Sequence, residues 1–217
     1  MTLPTCASTI DWAASGAMLS GAGTLLGAAA IMFAAIIGGN TFKSWRRQKV
    51  AERVLVQAER ILEATYKGRR ALRYVRGIML WGHELSAAEE TLKADPQWDL
   101  QLEAKQKRLV TFQVFLNRLN RVREDREALD QCLPMARALF GEDLEKAIEL
   151  LAHQFWMVEV HAQSYVDDDG SDQNFAKKIR RGMYEIEPME GEVNEVTAKV
   201  EAAVATIEAT CLPVLRN

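Results

Sequence analysis

The sequence predicts an all-α protein in which one N-terminal transmembrane helix precedes a soluble antiparallel helical bundle with a long helical hairpin. Three observations carry this prediction. No Asp, Glu, Lys, Arg or His occurs between Asp11 and Lys43. Beyond Lys43, apolar residues recur at alternating steps of three and four, which is the period of one face of a helix. Ala, Glu, Leu and Arg are abundant there, and all four residue types have a high helix propensity.

Residues 12–42 are predicted to form the transmembrane helix, and residues 1–11 a short extracytoplasmic N-terminus. A helix rises about 1.5 Å per residue and a hydrocarbon core is about 30 Å thick, so roughly 20 residues suffice to cross it. A cleavable signal peptide is disfavoured because residues 1–11 carry no Lys or Arg. The other alternative is an Ala- and Gly-rich hairpin or tail of a soluble protein.

A basic cluster follows the apolar segment and sets its expected orientation. Positively charged flanks stay in the cytoplasm, so the N-terminus is expected outside and the long C-terminal body inside. Trp12, Phe42 and Trp45 flank the span, as interfacial aromatics do. The residues predicted to contact lipid and to fix topology are Lys43, Trp45, Arg46, Arg47 and Lys49. The expected location is therefore the inner (plasma) membrane, crossed once, with the bulk of the chain cytoplasmic.

Small residues form a stripe along the predicted span. Such a stripe lets two helix backbones approach closely and pack in a membrane. Because Ala and Gly fill about half of this segment, a stripe of this kind also arises without any packing role. The stripe is therefore compatible with both a homo-oligomer and a monomer. The stripe consists of Gly16, Ser20, Gly23, Gly27, Ala30 and Ala34.

Charge is segregated along the chain. Residues 43–76 hold eleven Lys or Arg and three Glu, a net charge of +8, whereas residues 77–217 carry −10. The whole chain is close to neutral, at −3. The sequence thus predicts a basic stalk beside the membrane and an acidic body beyond it.

The cytoplasmic domain, residues 43–217, is predicted to hold four main helices: a basic stalk helix at 43–93, a return helix at 97–130, and packing helices at 142–166 and 192–211. Asp95-Pro96 separates the stalk from the return helix, because Asp can cap a helix and Pro suits its first position. Pro134 is expected to end or kink the helix that contains it, and Pro213 is expected to end the last helix. Short helices are expected at 135–140 and up to Arg181.

The distal part of the stalk is predicted to present a basic face. Its cations lie too far along the helix to contact lipid if the helix stands upright. They could meet the acidic body of the same chain, solvent, or an anionic ligand. Nucleic acid is disfavoured, because only Tyr66 and Tyr74 accompany these cations and stacking platforms need more aromatics. The predicted face comprises Arg53, Arg60, Lys67, Arg70 and Arg73.

Motifs for catalysis, metals and cofactors are missing from the sequence. Cys6, Cys132 and Cys211 are too scattered for a disulfide framework or a zinc site. The acidic turn at 167–172 fails the EF-hand pattern, because Tyr165 and Ala176 occupy positions that need acidic ligands. The three histidines lack the spacing of a di-iron bundle. We therefore expect no metal, no cofactor and no enzymatic activity.

These features together favour a single-pass, membrane-anchored helical protein that acts in interaction, regulation or scaffolding through an unidentified protein partner. In architecture the chain resembles small bacterial inner-membrane proteins with one N-terminal span and a helical cytoplasmic body. The alternative is a membrane-tethered binder of an anionic ligand, either acidic lipid or nucleic acid, that uses the basic stalk helix.

Overall fold

The computed structural model describes residues 12–186 and 193–216. Within these ranges it is all-helical and contains no strand, which confirms the predicted fold class at that level. A single 3₁₀ turn at Trp98–Leu100 accompanies the α-helices. The helices are α1 (Trp12–Val75), α2 (Gly82–Lys93), α3 (Glu103–Arg121), α4 (Arg123–Phe140), α5 (Glu142–Asp167), α6 (Gln173–Met183) and α7 (Glu195–Arg216).

The chain divides into two compact units, Met1–Glu52 and Arg53–Asn217. The described part of the first unit belongs to α1. Among the described helices, α1 alone is long and apolar enough to cross a membrane, judged by length and composition. The large apolar side chains described between Leu26 and Ile37 are exposed, including Ile31 at 72% and Phe33 at 68%. Residues 1–11, predicted as an extracytoplasmic N-terminus, lie outside the described residues.

The second unit is built around α5, which packs against α3, α4, α6 and α7. The apolar residues of this helix recur at steps of three and four, and those on its inner face are all buried: Leu144, Ile148, Leu151, Phe155, Val158 and Ala162. Tyr165, one turn further along the same face, is only half-buried, and the Arg108 guanidinium lies 5.6 Å from its ring centroid. Glu142, Asp143 and Glu145 occupy the first turn of α5, where acidic side chains complement the helix dipole.

The prediction of one stalk helix across residues 43–93 is wrong. The helix α1 ends at Val75, and α2 begins at Gly82 after a six-residue connection. The cause is distant in sequence: the Arg118 guanidinium donates to the carbonyls of Val75, Gly77 and Met79 at 3.3, 2.9 and 2.6 Å. These carbonyls therefore have a partner outside a helix, which offsets the loss of helical hydrogen bonds.

The prediction of one return helix across residues 97–130 is also wrong. A 3₁₀ turn precedes α3, and a break at Val122 separates α3 from α4. The antiparallel hairpin is accordingly shorter than predicted, since it is α2 that packs beside α3.

The two prolines do not end their helices. Pro134 lies inside α4, which runs to Phe140 and includes the short helix expected at 135–140. Pro213 lies inside α7, which continues to Arg216 instead of stopping at residue 211. Buried neighbours explain the continuation of α4: Cys132 and Ala136, on either side of Pro134, are both 1% exposed or less. Tertiary packing there outweighs the missing backbone donor of proline.

Candidate functional site

The residues predicted to contact lipid all lie on the exposed surface of α1. Lys43, Trp45, Arg46, Arg47 and Lys49 are exposed, and the Trp45 ring lies beside Phe42 with 5.9 Å between centroids. Lys49 Nζ forms an ion pair with Glu52 at 2.7 Å. Lys43, Arg46 and Arg47 also line a shallow depression with Val50 and Ala51. These cations are thus grouped on one short stretch of helix.

The small-residue stripe is described in part. All six positions lie within α1, and Ser20, Gly27, Ala30 and Ala34 are exposed. The surroundings of Gly16 and Gly23 lie outside the described side chains. At Gly27 a Cβ atom would meet nothing within 4 Å, so no described residue packs against this position.

The predicted basic face of the distal stalk does not stay together as one surface. Arg60 Nη2 donates to Gln131 of α4 at 3.1 Å, and Lys67 pairs with Glu63 of its own helix at 2.7 Å. Arg73 contacts Glu185 at 3.5 Å and Glu201 at 3.9 Å. Arg53 and Arg70 are exposed, and no described residue forms an ion pair with either of them.

Acidic residues of α7 accept hydrogen bonds from side chains of the predicted stalk helix. Arg69 donates to both carboxylate oxygens of Glu201, at 2.6 and 2.8 Å. The Tyr66 hydroxyl donates to Glu208 at 2.9 Å, and this hydrogen bond raises the pKa of Tyr66. The other tyrosine, Tyr74, is also engaged, because Arg121 Nη1 donates to its hydroxyl at 2.8 Å. The Tyr74 ring also has the guanidinium groups of Arg118 and Arg121 over it, with 5.6 and 5.9 Å to its centroid.

Arg76 joins three helices at one buried point. Its side chain is 3% exposed, and no carboxylate forms an ion pair with it among the described residues. Burial lowers the pKa of Arg76 to about 10, so the guanidinium stays charged at neutral pH. Its acceptors are the carbonyls of Arg181, Gly182 and Tyr184, at 3.1, 3.3 and 3.0 Å, and the side chains of Asn194 and Thr197, at 2.9 and 3.0 Å.

A second buried arginine organises the connection between α1 and α2. Arg118 binds both oxygens of Glu84, at 2.9 and 2.6 Å, and lies over the Tyr74 ring at 5.6 Å. The connection that it holds carries exposed apolar side chains: Ile78 and Met79 are each 62% exposed and Trp81 is 55% exposed. Arg118 therefore fixes an apolar loop on the surface of the second unit.

The histidines and cysteines do not converge on a site. His83 and His153 are exposed. Among the described residues no group of three His, Cys, Asp or Glu is placed to hold a metal ion. Cys132 and Cys211 are buried free thiols, and burial raises the pKa of both, to about 11 for Cys211.

The acidic turn before α6 is engaged in backbone contacts. Asp168 and Asp169 each accept a hydrogen bond from a backbone N–H two residues on. Asp172 caps α6 by accepting from the N–H groups of Asn174 and Phe175, at 2.8 and 3.2 Å. These bonds explain the turn without a metal ion.

Sequence reasoning missed a pocket in the second unit that is bounded by α5, α6 and α7. Its cations come from α6 and α7, two helices that the sequence pattern treats only as packing elements. Their grouping depends on tertiary structure, and the one signal in the sequence is the run Lys177-Lys178 with Arg180-Arg181 in a short helix.

In comparisons with protein-family models, with curated proteins and with solved structures, nothing matches this chain.

Proposed function

We propose that this chain is a single-pass membrane protein whose α1 anchors a helical body and presents it to a protein partner. The observation that carries the proposal is the exposed, uncharged part of α1. Leu26, Ile31, Met32, Phe33 and Ile36 are each 63–72% exposed. Each would gain about 1.5–3 kcal/mol by leaving water. A lipid bilayer offers such a surrounding, and the charge-free run is long enough to cross it.

The orientation proposed is N-terminus outside and body in the cytoplasm. It rests on the exposed cations that follow the apolar run, since Lys and Arg next to a span are retained on the cytoplasmic side. Trp45 and Phe42 lie at the same end of the run and suit the interfacial region.

The anchor is tested by extraction of the full-length protein from membranes. Washing with alkaline carbonate is expected to leave the protein in the pellet, and a mild detergent is expected to release it. A matched variant, Ile31→Lys/Phe33→Lys, places two charges in the apolar run and is expected to move protein into the carbonate supernatant. Release of the unmodified protein by carbonate would refute the anchor.

The proposed role in protein contact rests on the loop of Ile78, Met79 and Trp81. Trp and Met are enriched at protein interfaces, and exposed aromatic anchors carry much of their binding energy. Arg118 holds the backbone of this loop, so little ordering cost remains to be met on binding.

A photoreactive amino acid at position 79 of the full-length protein tests this role in membranes. A discrete crosslinked adduct is expected, and Trp81→Ser is expected to remove it. Leu100→Ser is the matched control, because Leu100 is also highly exposed, at 82%, but lies outside the loop. Adducts that persist unchanged in Trp81→Ser would contradict a role of the loop.

The alternative function is binding of an anionic ligand by the stalk helix. It is supported only by the cations next to the proposed span. There Lys43, Arg46 and Arg47 share one surface depression, and each such cation can gain about 1 kcal/mol beside an anionic leaflet. Acidic lipid is therefore the ligand that this alternative favours. Its test is enrichment of anionic lipid around the full-length protein in mixed nanodiscs, compared with Lys43→Gln/Arg46→Gln/Arg47→Gln.

A further inference from the structure

Tyr74 and Arg121 form a pair of hydrogen-bond donors on the surface of the second unit, beside the apolar loop at residues 78–81. We propose that this pair binds a carboxylate of the partner protein, in a segment that places an acidic side chain next to bulky apolar ones. The proposal rests on the proposed function, because it names the class of partner that the loop receives. It is carried by the unused donors of the pair, by the local charge, and by the connection of the pair to the loop.

The hydroxyl of Tyr74 has an unused donor. Arg121 Nη1 donates to the Tyr74 oxygen at 2.8 Å, so the hydroxyl is the acceptor in this contact. No described residue accepts a hydrogen bond from the hydroxyl, and Tyr74 is 38% exposed. Arg121 is also exposed, and its Nε and Nη2 donors have no acceptor among the described residues. The pair therefore presents O–H and N–H donors side by side, and a carboxylate, which only accepts, matches such a set.

The charge around Tyr74 is positive. The guanidinium groups of Arg118 and Arg121 lie 5.6 and 5.9 Å from its ring centroid. Arg118 is neutralised by Glu84 at 2.6 Å, whereas Arg121 forms no ion pair with a described residue. Arg70, one helical turn before Tyr74 on α1, is exposed and likewise has no ion pair among the described residues. An anionic group at the Tyr74 hydroxyl therefore meets two guanidinium groups whose charge no described carboxylate balances.

The acidic residues that follow Arg121 in the chain do not neutralise it. Glu124 and Asp125 lie in the first turn of α4, and neither forms an ion pair with Arg121. The neighbouring arginine is different, because Arg123 pairs with Glu127 at 2.6 Å. The unbalanced charge is thus particular to Arg121, and Arg123 provides a matched reference for it.

The donor pair and the apolar loop belong to one surface. Arg118, which lies over the Tyr74 ring, also donates to the carbonyls of Gly77 and Met79, at 2.9 and 2.6 Å. The Gly77 N–H donates in turn to the Tyr74 carbonyl at 3.2 Å. A partner segment that places a carboxylate on the pair can therefore cover the exposed side chains of the loop as well. Burial of the apolar side chains supplies affinity, and the carboxylate fixes the register of the segment.

Acidic lipid is the other anionic surface to be weighed against a protein segment. Segments that bind acidic membranes carry clusters of about four to eight Lys or Arg residues. Beside this loop, the described residues include two guanidinium groups without an ion pair, those of Arg70 and Arg121. Two donors held 2.8 Å apart suit a single carboxylate better than a lipid surface, which favours a protein segment.

Selection from a phage-displayed library of random peptides tests the proposal. The bait is the full-length protein in nanodiscs of phosphatidylcholine, and peptides that also bind Trp81→Ser are removed. The remaining peptides are expected to be enriched in Asp and Glu beside bulky apolar residues. Remaining peptides without an acidic excess would overturn the proposal and leave the loop as a contact surface. If no peptide remains, the proposal fails, and the crosslink from position 79 decides separately whether the loop contacts a protein.

A thermodynamic cycle locates the carboxylate. One selected peptide and its amide analogue, with Glu replaced by Gln or Asp by Asn, are titrated against the wild type and against Arg121→Gln. Fluorescence anisotropy is expected to show that the amide analogue binds the wild type about tenfold more weakly or worse, with little such loss on Arg121→Gln. Equal losses on the two proteins would place the carboxylate elsewhere and refute its assignment to Arg121.

Two further variants separate the donor pair from general effects. Tyr74→Phe removes one exposed hydroxyl and keeps the ring, and it is expected to weaken binding of the acidic peptide about fivefold or more. Arg123→Gln is the matched control for Arg121→Gln, because it removes a nearby exposed arginine that already pairs with Glu127. It is expected to leave binding unchanged. Full binding in Tyr74→Phe, or the same loss in Arg123→Gln as in Arg121→Gln, would contradict the carboxylate site.

Vesicles of phosphatidylglycerol test whether the surface serves acidic lipid instead. They are added to the full-length protein in phosphatidylcholine nanodiscs, and their association with wild type, Trp81→Ser and Arg121→Gln is compared. The cations next to the proposed span contribute equally to all three proteins, so equal association is expected. Association that is lost in both variants would identify a lipid surface as the occupant and overturn the proposal.

Discussion

Arg118 Nη2 and Glu84 Oε2 lie 2.6 Å apart, and their side chains are only 4% and 9% exposed. The pair joins α3 to the first turn of α2, and the same guanidinium binds the carbonyls of the connection between α1 and α2. This one contact positions the apolar loop on which the proposed partner surface depends.

Loss of Arg118 is expected to destabilise the second unit severely. Arg118→Met leaves the Glu84 carboxylate buried without its partner, and such a change costs about 3–5 kcal/mol. Urea unfolding of the full-length protein in mild detergent, followed by circular dichroism, measures the effect. Arg118→Met/Glu84→Leu is expected to recover part of the loss, because no uncompensated charge then remains. A loss below about 1 kcal/mol in the single variant would show that the pair behaves as a surface ion pair.

The contribution of Glu84 is expected to depend on pH. The hydrogen bond from Arg118 holds the pKa of Glu84 below its usual value. The unfolded chain therefore binds a proton more readily than the folded protein, so this contribution to stability is complete above the unfolded pKa, at about 4.3–4.5. It is lost as the pH falls through the lower folded pKa. The difference in unfolding free energy between wild type and Glu84→Gln should shrink between pH 6 and pH 3, and a constant difference would exclude the linkage.

Any replacement of Arg76 that lacks the planar guanidinium group is expected to lower the free energy of unfolding. Its buried charge is balanced by five acceptors from α6, α7 and the segment between them, and lysine does not reach them in the same geometry. Arg76→Lys and Arg76→Met should each cost about 2–4 kcal/mol in the same urea experiment. Arg70→Lys is the control, since Arg70 is exposed near the end of α1, just before Arg76, and its replacement should change stability by less than about 0.5 kcal/mol.

Gly182 is expected to resist substitution by alanine. A Cβ atom at this position would collide with the His161 ring, which packs directly against the glycine. Gly182→Ala should therefore cost about 1–3 kcal/mol through overpacking. Gly82→Ala is the control, because a Cβ atom there meets nothing within 4 Å. Equal unfolding midpoints for the two variants would contradict the packing of α6 on α5.

The basic cluster after the apolar run is expected to control topology. Replacing Lys43, Arg46, Arg47 and Lys49 by Gln removes the charge bias on which the proposed orientation rests. A phosphatase that is active only outside the cytoplasm, fused after Asn217, should then gain activity. The same fusion on Arg60→Gln/Lys67→Gln/Arg70→Gln/Arg73→Gln should remain inactive, because these cations lie farther from the span.

The sequence pattern predicts helix boundaries well where the boundaries depend on residues close to them in the chain. The α5 boundaries were predicted to within a residue, because its apolar stripe and acidic first turn agree. The end of α1 at Val75 was not predictable, because a side chain more than forty residues away determines it. Gly68 is a similar case, because its missing side chain admits Leu129 of α4 to within 2.8 Å of where a Cβ atom would stand.

The candidate sites also differ in whether their residues are close together in the sequence or only in the folded structure. The cations predicted to contact lipid are neighbours in sequence, and the sequence was enough to propose them. The pocket cations come from two helices that fold together only in the tertiary structure, and the buried roles of Arg76 and Arg118 depend on carbonyl groups that no side-chain pattern encodes.

The account depends above all on α1 crossing a membrane with the N-terminus outside, and Cys6 provides the most direct measurement. Cys132 and Cys211 are buried with raised pKa values, so a thiol reagent applied to the folded protein has Cys6 as its target. A membrane-impermeant maleimide is added to cells in which the outer membrane has been made permeable and the inner membrane is still sealed. It should label the full-length protein, and Cys6→Ser should remove the label. Labelling that appears only after the cells are lysed would contradict the account.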